Sequence, residues 1–249
     1  MKNKNKLIII KVDAIPSTND FVKQYYSGNS SFEPVCVSAR FQTKGKGQRG
    51  SVWNVTAGKN LTFSLLYPKI SVTINHHFLL SAVVSLSVIN VLRKFNTPKL
   101  SVKWPNDIMS GNFKVGGILI ENILKKSDIA ASIVGIGLNV NQDDFGDLKQ
   151  ASSLKLVTGN NFNLDELLKR ITDEFEDKLT QINADTEASI LEKYARNMFR
   201  RDLVSTFQLP DDTYLTGIIR GVTTSGRLNL EIEDSVFKTF DLKEIKLMY

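Results

Sequence analysis

Lys103-Trp104-Pro105-Asn106-Asp107-Ile108-Met109-Ser110-Gly111-Asn112-Phe113-Lys114-Val115-Gly116-Gly117-Ile118-Leu119-Ile120-Glu121 is the stretch that decides the fold. Gly111-Asn112 is a turn signal between two apolar runs, so the segment reads as strands folded back on each other. Four consecutive strands are expected here, Leu100–Trp104, Asp107–Ser110, Gly117–Ile123 and Ile129–Asn139, in a mainly antiparallel arrangement. Working towards the N-terminus, Asn60–Tyr67 and Val35–Phe41 read as strands, and a long apolar helix is expected over His76–Phe95. Leu7–Ile15 is a further strand. Ser17 then offers an N-cap to a short helix that places Phe21, Val22 and Tyr25 on one face and ends near Gly28.

Towards the C-terminus, Asn163 and Glu166 make a capping-box-like start, followed by Leu164, Leu167, Leu168, Ile171, Phe175 and Leu179 at helical spacing. A second helix is expected over Glu187–Phe199. Beyond Arg201 the pattern becomes short strands, Leu203–Leu209, Tyr214–Val222, Arg227–Glu233 and Ser235–Asp241. The fold class is therefore α+β: a mixed, mainly antiparallel sheet with helices, followed by a small β-barrel. The expected domains are residues 1–200 and 201–249.

Composition fits a globular enzyme of 249 residues, 42% hydrophobic and 23% charged. The net charge of +6 is spread along the chain, and no helix-turn-helix or zinc pattern accompanies it. The single Cys36 sits in an apolar run, which excludes an intrachain disulfide. Leu7-Ile8-Ile9-Ile10 is far short of a signal-peptide core, and Phe78–Leu92 is too short and too rich in Ser to span a bilayer. A cytoplasmic protein without membrane attachment is expected.

Charge is distributed unevenly in one region. From Pro34 to Asn106 there are 73 residues with no Asp or Glu and ten Lys or Arg. Several of these lie in the loop Gln42-Thr43-Lys44-Gly45-Lys46-Gly47-Gln48-Arg49-Gly50. Glycines let backbone approach a ligand closely and turned N–H groups attract negative oxygens, so the loop suits an anion. The glycine spacing fits a kinase phosphate loop, and Asp144-Phe145-Gly146 adds D-F-G, but no H-R-D or V-A-I-K element exists to support that reading. A dinucleotide-binding reading fails because no helix follows Gly50, and Walker A is absent.

Ser17-Thr18-Asn19, Lys103–Asp107, Lys114–Glu121 and Gly135-Ile136-Gly137-Leu138-Asn139-Val140-Asn141, read with the loop, closely resemble biotin protein ligase. The resemblance covers essentially the whole chain. It implies the monofunctional form, which begins directly at the catalytic domain and binds no DNA, and it implies that residues 201–249 are an SH3-like C-terminal domain. It also implies an activity: biotin and ATP, with Mg²⁺, give biotinyl-5′-adenylate and pyrophosphate, and biotin then passes to a lysine of a biotin carboxyl carrier protein domain. Homodimerisation is left open.

The resemblance carries roles to particular positions. Ser17, Thr18 and Gln42 match residues that hydrogen-bond the ureido head of biotin; Gly45 and Lys46 match the loop backbone that closes over biotin and adenylate, and Gly117 also falls at the biotin site. Lys114 matches the catalytic lysine, which contacts the biotin carboxylate and the ATP α-phosphate. Asp107 matches a Mg²⁺ position, Asn106 and Asn139 lie near adenine, and Trp53 is the aromatic that packs at the nucleotide. One departure stands out. Many relatives carry Arg where this chain has Gln48, while Arg49 follows one residue later, so Arg49 is the candidate phosphate contact and second catalytic cation. The alternatives are a lipoate or octanoate ligase or transferase, against which Lys103–Asp107 argues, and a non-catalytic nucleotide or nucleic-acid binding module.

Overall fold

A computed structural model describes residues 7–28, 33–68, 77–125, 128–183, 185–233 and 235–249. In chain order the elements begin β1 (Ile8–Ile15), α1 (Thr18–Gly28), β2 (Val35–Gln42), β3 (Leu61–Pro68), α2 (His77–Lys94), β4 (Leu100–Lys103) and β5 (Asp107–Ser110). They continue with β6 (Phe113–Lys125), β7 (Asp128–Leu138), α3 (Leu154–Thr158), α4 (Leu164–Leu179) and α5 (Glu187–Arg196). Five strands close the chain: β8 (Val204–Gln208), β9 (Tyr214–Val222), β10 (Leu228–Glu233), β11 (Val236–Phe240) and β12 (Lys246–Met248). Two compact units result, one from Met1–Ile74 with Phe113–Arg170, the other from Asn75–Asn112 with Ile171–Tyr249.

In the first unit β1 pairs in parallel with β2, because the α1 crossover returns the chain in its original direction. The remaining pairs, β2 with β3, β3 with β7 and β7 with β6, are antiparallel. Alternation along the strands and the observed register put Val35, Val37, Thr62, Ser64, Leu66, Ile133, Gly135, Gly137, Gly117 and Glu121 on one face. At one end of that face Val22 of α1 packs with Val35, Val37, Leu66, Ala131 and Ile133 in a buried cluster. The other end carries the glycines and hydroxyls instead, with Asn19 of α1 seated on Gly135 and the Trp53 ring on Gly137.

The expected mixed, mainly antiparallel α+β fold is present, with some differences in detail. Strand β6 begins at Phe113 rather than Gly117, so Lys114 lies in a strand and not in the hairpin turn. The cause is distant in sequence: Lys114 N–H donates to Gln150 O (2.7 Å) and Lys114 O accepts from Ser152 N–H (3.0 Å). α5 ends at Arg196, three residues before the expected Phe199, because Asn197 O and Phe199 N–H bond to Val102 of β4. α3 and β12 were not anticipated.

The second unit contains the β4–β5 hairpin, α2, α5 and the five-stranded antiparallel sheet β11-β10-β9-β8-β12. Trp104, at the hairpin turn, is half-buried, its peptide bond to Pro105 is cis, and its indole N–H donates to Gly226 O (2.9 Å). Tyr194 of α5 donates to Pro105 O (3.0 Å) and packs edge-on against Phe78 with ring centroids 5.1 Å apart. Burial, helped by the charge of Asp107, holds the Tyr194 hydroxyl in its neutral donor form.

Cys36 is fully buried on β2, and burial pushes its thiol up to about 12. At pH 8 about one molecule in ten thousand is then thiolate. Maleimide labelling of the folded protein should therefore be negligible over an hour and reach one equivalent in denaturant. Rapid labelling of the native chain would contradict this burial.

Candidate active site

The candidate site is built where the start of α1 meets the end of β2. Ser17 is buried and its Oγ accepts weakly from Asp20 N–H (3.4 Å), so it caps α1 as the sequence suggested. Thr18 faces Gln42: its N–H and its hydroxyl both donate to Gln42 Oε1, at 2.7 and 2.9 Å. Both donors bind the oxygen end of the amide, which turns Gln42 Nε2 towards Gly45; a Cβ on Gly45 would stand 2.9 Å from it. All four groups lie within the first unit.

The basic loop is a small closed hairpin. Trp53 N–H donates to Gly45 O (2.9 Å), Lys46 bridges Val52, and Gly47 N–H donates to Ser51 O (2.7 Å) around a single 3₁₀ turn at Gln48–Gly50. Lys46 reaches Asp20 of α1 at 2.7 Å, and that hydrogen bond holds its ammonium above the usual lysine range. Any anion at the loop would compete with Asp20 for this cation. The side chain of Arg49 lies outside the described residues.

Trp53 turns inward from the loop. Its ring lies so close over Gly137 that a Cβ there would stand 2.5 Å from Cε2, and it also faces Gly117, whose Cβ would meet Cζ3 at 3.5 Å. Lys114 comes to the same place: Nζ is 5.6 Å from the centre of the Trp53 ring, a cation–π separation. The indole N–H is buried without a hydrogen-bond partner among the described residues. Gly137→Ala must therefore displace the ring, since real Cβ contacts are not that short. Trp53 emission, followed in a Trp104→Phe background, should shift to the red; an unchanged spectrum would show that the indole does not rest on Gly137.

The sequence profile of the biotin/lipoate A/B protein ligase family matches residues 12–139, which contain the Thr18–Gln42 pair, the loop and Lys114. The chain belongs to this family. It is 31% identical over 244 residues to the bifunctional ligase/repressor BirA of Bacillus spizizenii, covering 93% of this chain and 72% of that protein. The Escherichia coli protein of the same name is 28% identical over 242 residues, with 94% and 72% covered. Among solved structures, the biotin protein ligase of Aquifex aeolicus in complex with biotin and ATP superposes with a TM-score of 0.76 at 27% identity, over 98% of each chain.

In this ligase-family chain the first unit brings together Ser17, Thr18, Gln42, Gly45, Lys46, Trp53, Lys114 and Gly117. Asn139 belongs to the same unit, buried, with its amide donating to Ser152 O (3.0 Å). Ser152 in turn bonds the Lys114 carbonyl, so Asn139 braces the segment that holds the lysine backbone. Asn106 and Asp107 belong to the second unit, half-buried at the β4–β5 turn locked by Trp104 and Tyr194. No group of three or more His, Cys, Asp or Glu side chains that could cage a metal occurs among the described residues. Asp107 offers one carboxylate, the oxygen chemistry that a hard divalent cation takes.

Several contributors received no role from the sequence reading. Gly135 and Gly137, two apart on β7, share a face and leave room for Asn19 and Trp53, a spacing that could have revealed them. The Gln150–Ser152 brace gave no local signal. Ser64 on β3 and Glu121 at the end of the Lys114–Glu121 motif are hydrogen-bonded to the Thr18–Asn19 pair, and they are taken up below.

Proposed function

We propose that the chain is a biotin protein ligase, which activates biotin with ATP and transfers it to a carrier lysine. The observation that carries this reading is the buried Thr18–Gln42 pair beside Gly45, in the same unit as the Lys114 ammonium at Trp53 and Gly117. A ureido group presents N–H donors and a carbonyl acceptor, which Ser17, Thr18 and Gln42 can answer. A site built for those hydrogen bonds rejects ligands lacking them by leaving its own groups unpaired.

In the first half-reaction a biotin carboxylate oxygen bonds to the α-phosphorus and pyrophosphate leaves. Negative oxygens repel the incoming carboxylate, so fixed cations supply most of the catalysis. Lys114 serves both the carboxylate and the α-phosphate, while Lys46 and Arg49 neutralise the phosphates. Gly45 and Gly117 allow close backbone approach. Asn106 and Asn139 attend the adenine, and Trp53 leaves its resting place on Gly137 to pack at the nucleotide. Asp107 would hold Mg²⁺, which adds positive charge at the phosphates when bound. In the second half-reaction the carrier lysine amine attacks the acyl carbon, loses a proton, and AMP departs. The partner is a biotin carboxyl carrier domain, and residues 201–249 assist ATP binding or carrier docking as the SH3-like domain. No helix among the described residues is long and apolar enough to cross a membrane; a cytoplasmic site of action is part of the same proposal.

Because the family also includes lipoate ligases, the test needs two arms. Purified chain should catalyse ATP–pyrophosphate exchange with biotin and not with lipoate. Exchange with lipoate alone, or with neither acid, would overturn the assignment.

A further inference from the structure

Behind Thr18 and Gln42 lies a chain of buried hydrogen bonds that reaches another strand. Ser64 Oγ on β3 is 2.7 Å from Thr18 Oγ1 and 2.6 Å from Asn19 Oδ1. Asn19 Nδ2 donates to Glu121 Oε2 on β6 at 2.7 Å. Thr18, Asn19 and Ser64 are buried, and Gly135 leaves the room Asn19 occupies, since a Cβ there would collide with Asn19 Oδ1. Helix α1 and strands β2, β3 and β6 are thus joined by one polar path that ends at Gln42.

The path controls which groups donate and which accept. A glutamine amide has two ends of nearly equal shape, and only its partners decide which end faces a ligand. Here the Thr18 backbone N–H, a donor only, claims the oxygen end of Gln42, and the Thr18 hydroxyl joins it. Whether that hydroxyl proton stays on Gln42 depends on Ser64, whose single proton serves two acceptors. Asn19 presents its oxygen to Ser64 because its amino end is held by the Glu121 carboxylate. Removing any member redistributes the hydroxyl protons reaching Thr18 and Gln42.

We infer that Asn19, Ser64 and Glu121 form a positioning relay that fixes the donor pattern of Thr18 and Gln42 and thereby sets selectivity for a ureido carbonyl. None of the three needs to touch biotin. The inference rests on the reading that Thr18 and Gln42 meet the ureido head, and its test separates the two.

Dissociation constants of biotin and of thiobiotin, in which the ureido C=O is replaced by the weaker acceptor C=S, are measured by calorimetry for four proteins. These are the wild type, Ser64→Ala, Glu121→Ala and Glu121→Gln. Glu121 is half-buried, so Glu121→Ala leaves the core packing in place. Ser64→Ala and Glu121→Ala should each weaken biotin binding about tenfold, the effect of disturbing one buried hydrogen bond, and should narrow the preference for biotin over thiobiotin. Glu121→Gln keeps an acceptor for Asn19 and should restore most of that preference, even though it removes the charge that Lys46 also feels. The KM for ATP should not move. Equal losses for both ligands would mean a merely structural role, and unchanged selectivity in all variants would likewise overturn the relay. A wild-type chain that binds neither ligand would overturn the biotin reading itself, and the relay with it.

Discussion

Lys114→Ala is expected to lower biotin-dependent ATP–pyrophosphate exchange by roughly 100-fold or more, the scale of removing one preorganised electrostatic stabiliser. The fold should survive. Lys114 is half-buried, and what holds its segment is the backbone pairing with Gln150 and Ser152, which an alanine keeps. The side chain contributes a cation beside Trp53 and Gly117, where a carboxylate and an α-phosphate must approach each other against their own repulsion. Because that repulsion is greatest in the transition state, the loss should fall mainly on kcat rather than on biotin KM. Near-normal exchange by a folded Lys114→Ala protein would remove the residue from the chemistry.

Arg49→Ala should release biotinyl-adenylate faster than the wild type by about 10- to 150-fold, as expected if a charge-assisted hydrogen bond of roughly 1.5–3 kcal/mol is lost from the bound state alone. Gln48 and Arg49 share the 3₁₀ turn at the tip of the closed loop, and of the two only Arg49 can neutralise a phosphate. An acyl-adenylate is a reactive mixed anhydride, so retention until the carrier lysine arrives is part of the function. The escaping intermediate should biotinylate bystander lysines, measurable on an added protein lacking a carrier domain. Gln48→Ala should leak less; the opposite order would show that the phosphate contact had not moved one residue along the loop.

Asp20 adds a consideration to both experiments. The acid-free run from Pro34 to Asn106 led the sequence reading to treat the loop cations as waiting for an external anion. Lys46 instead has an internal partner on α1, outside that run. The pair is exposed, and such pairs contribute little to stability. It can therefore exchange for a phosphate without loss of the fold.

Apart from α3 and β12, the sequence by itself determined the order of strands and helices, because side-chain periodicity and turn chemistry are local properties: Gly111-Asn112 between apolar runs and the leucine spacing after Asn163 need no tertiary information. It also determined the family, through the Lys103–Asp107 and Lys114–Glu121 motifs, and it singled out Thr18, Gln42 and Lys114. Only the tertiary structure decided how these residues are held. Lys114 lies in a strand because Gln150–Ser152 pairs with it, and Trp104 is half-buried and tied to Gly226, more than a hundred residues away in the chain. Trp53 rests on Gly137 because the missing Cβ leaves room for its ring, and Ser64 and Glu121 both reach Asn19 of α1 because the register of β3, β7 and β6 puts the two on one face. Contacts of this kind depend on pairings between distant segments. The composition of either segment alone carries no trace of them.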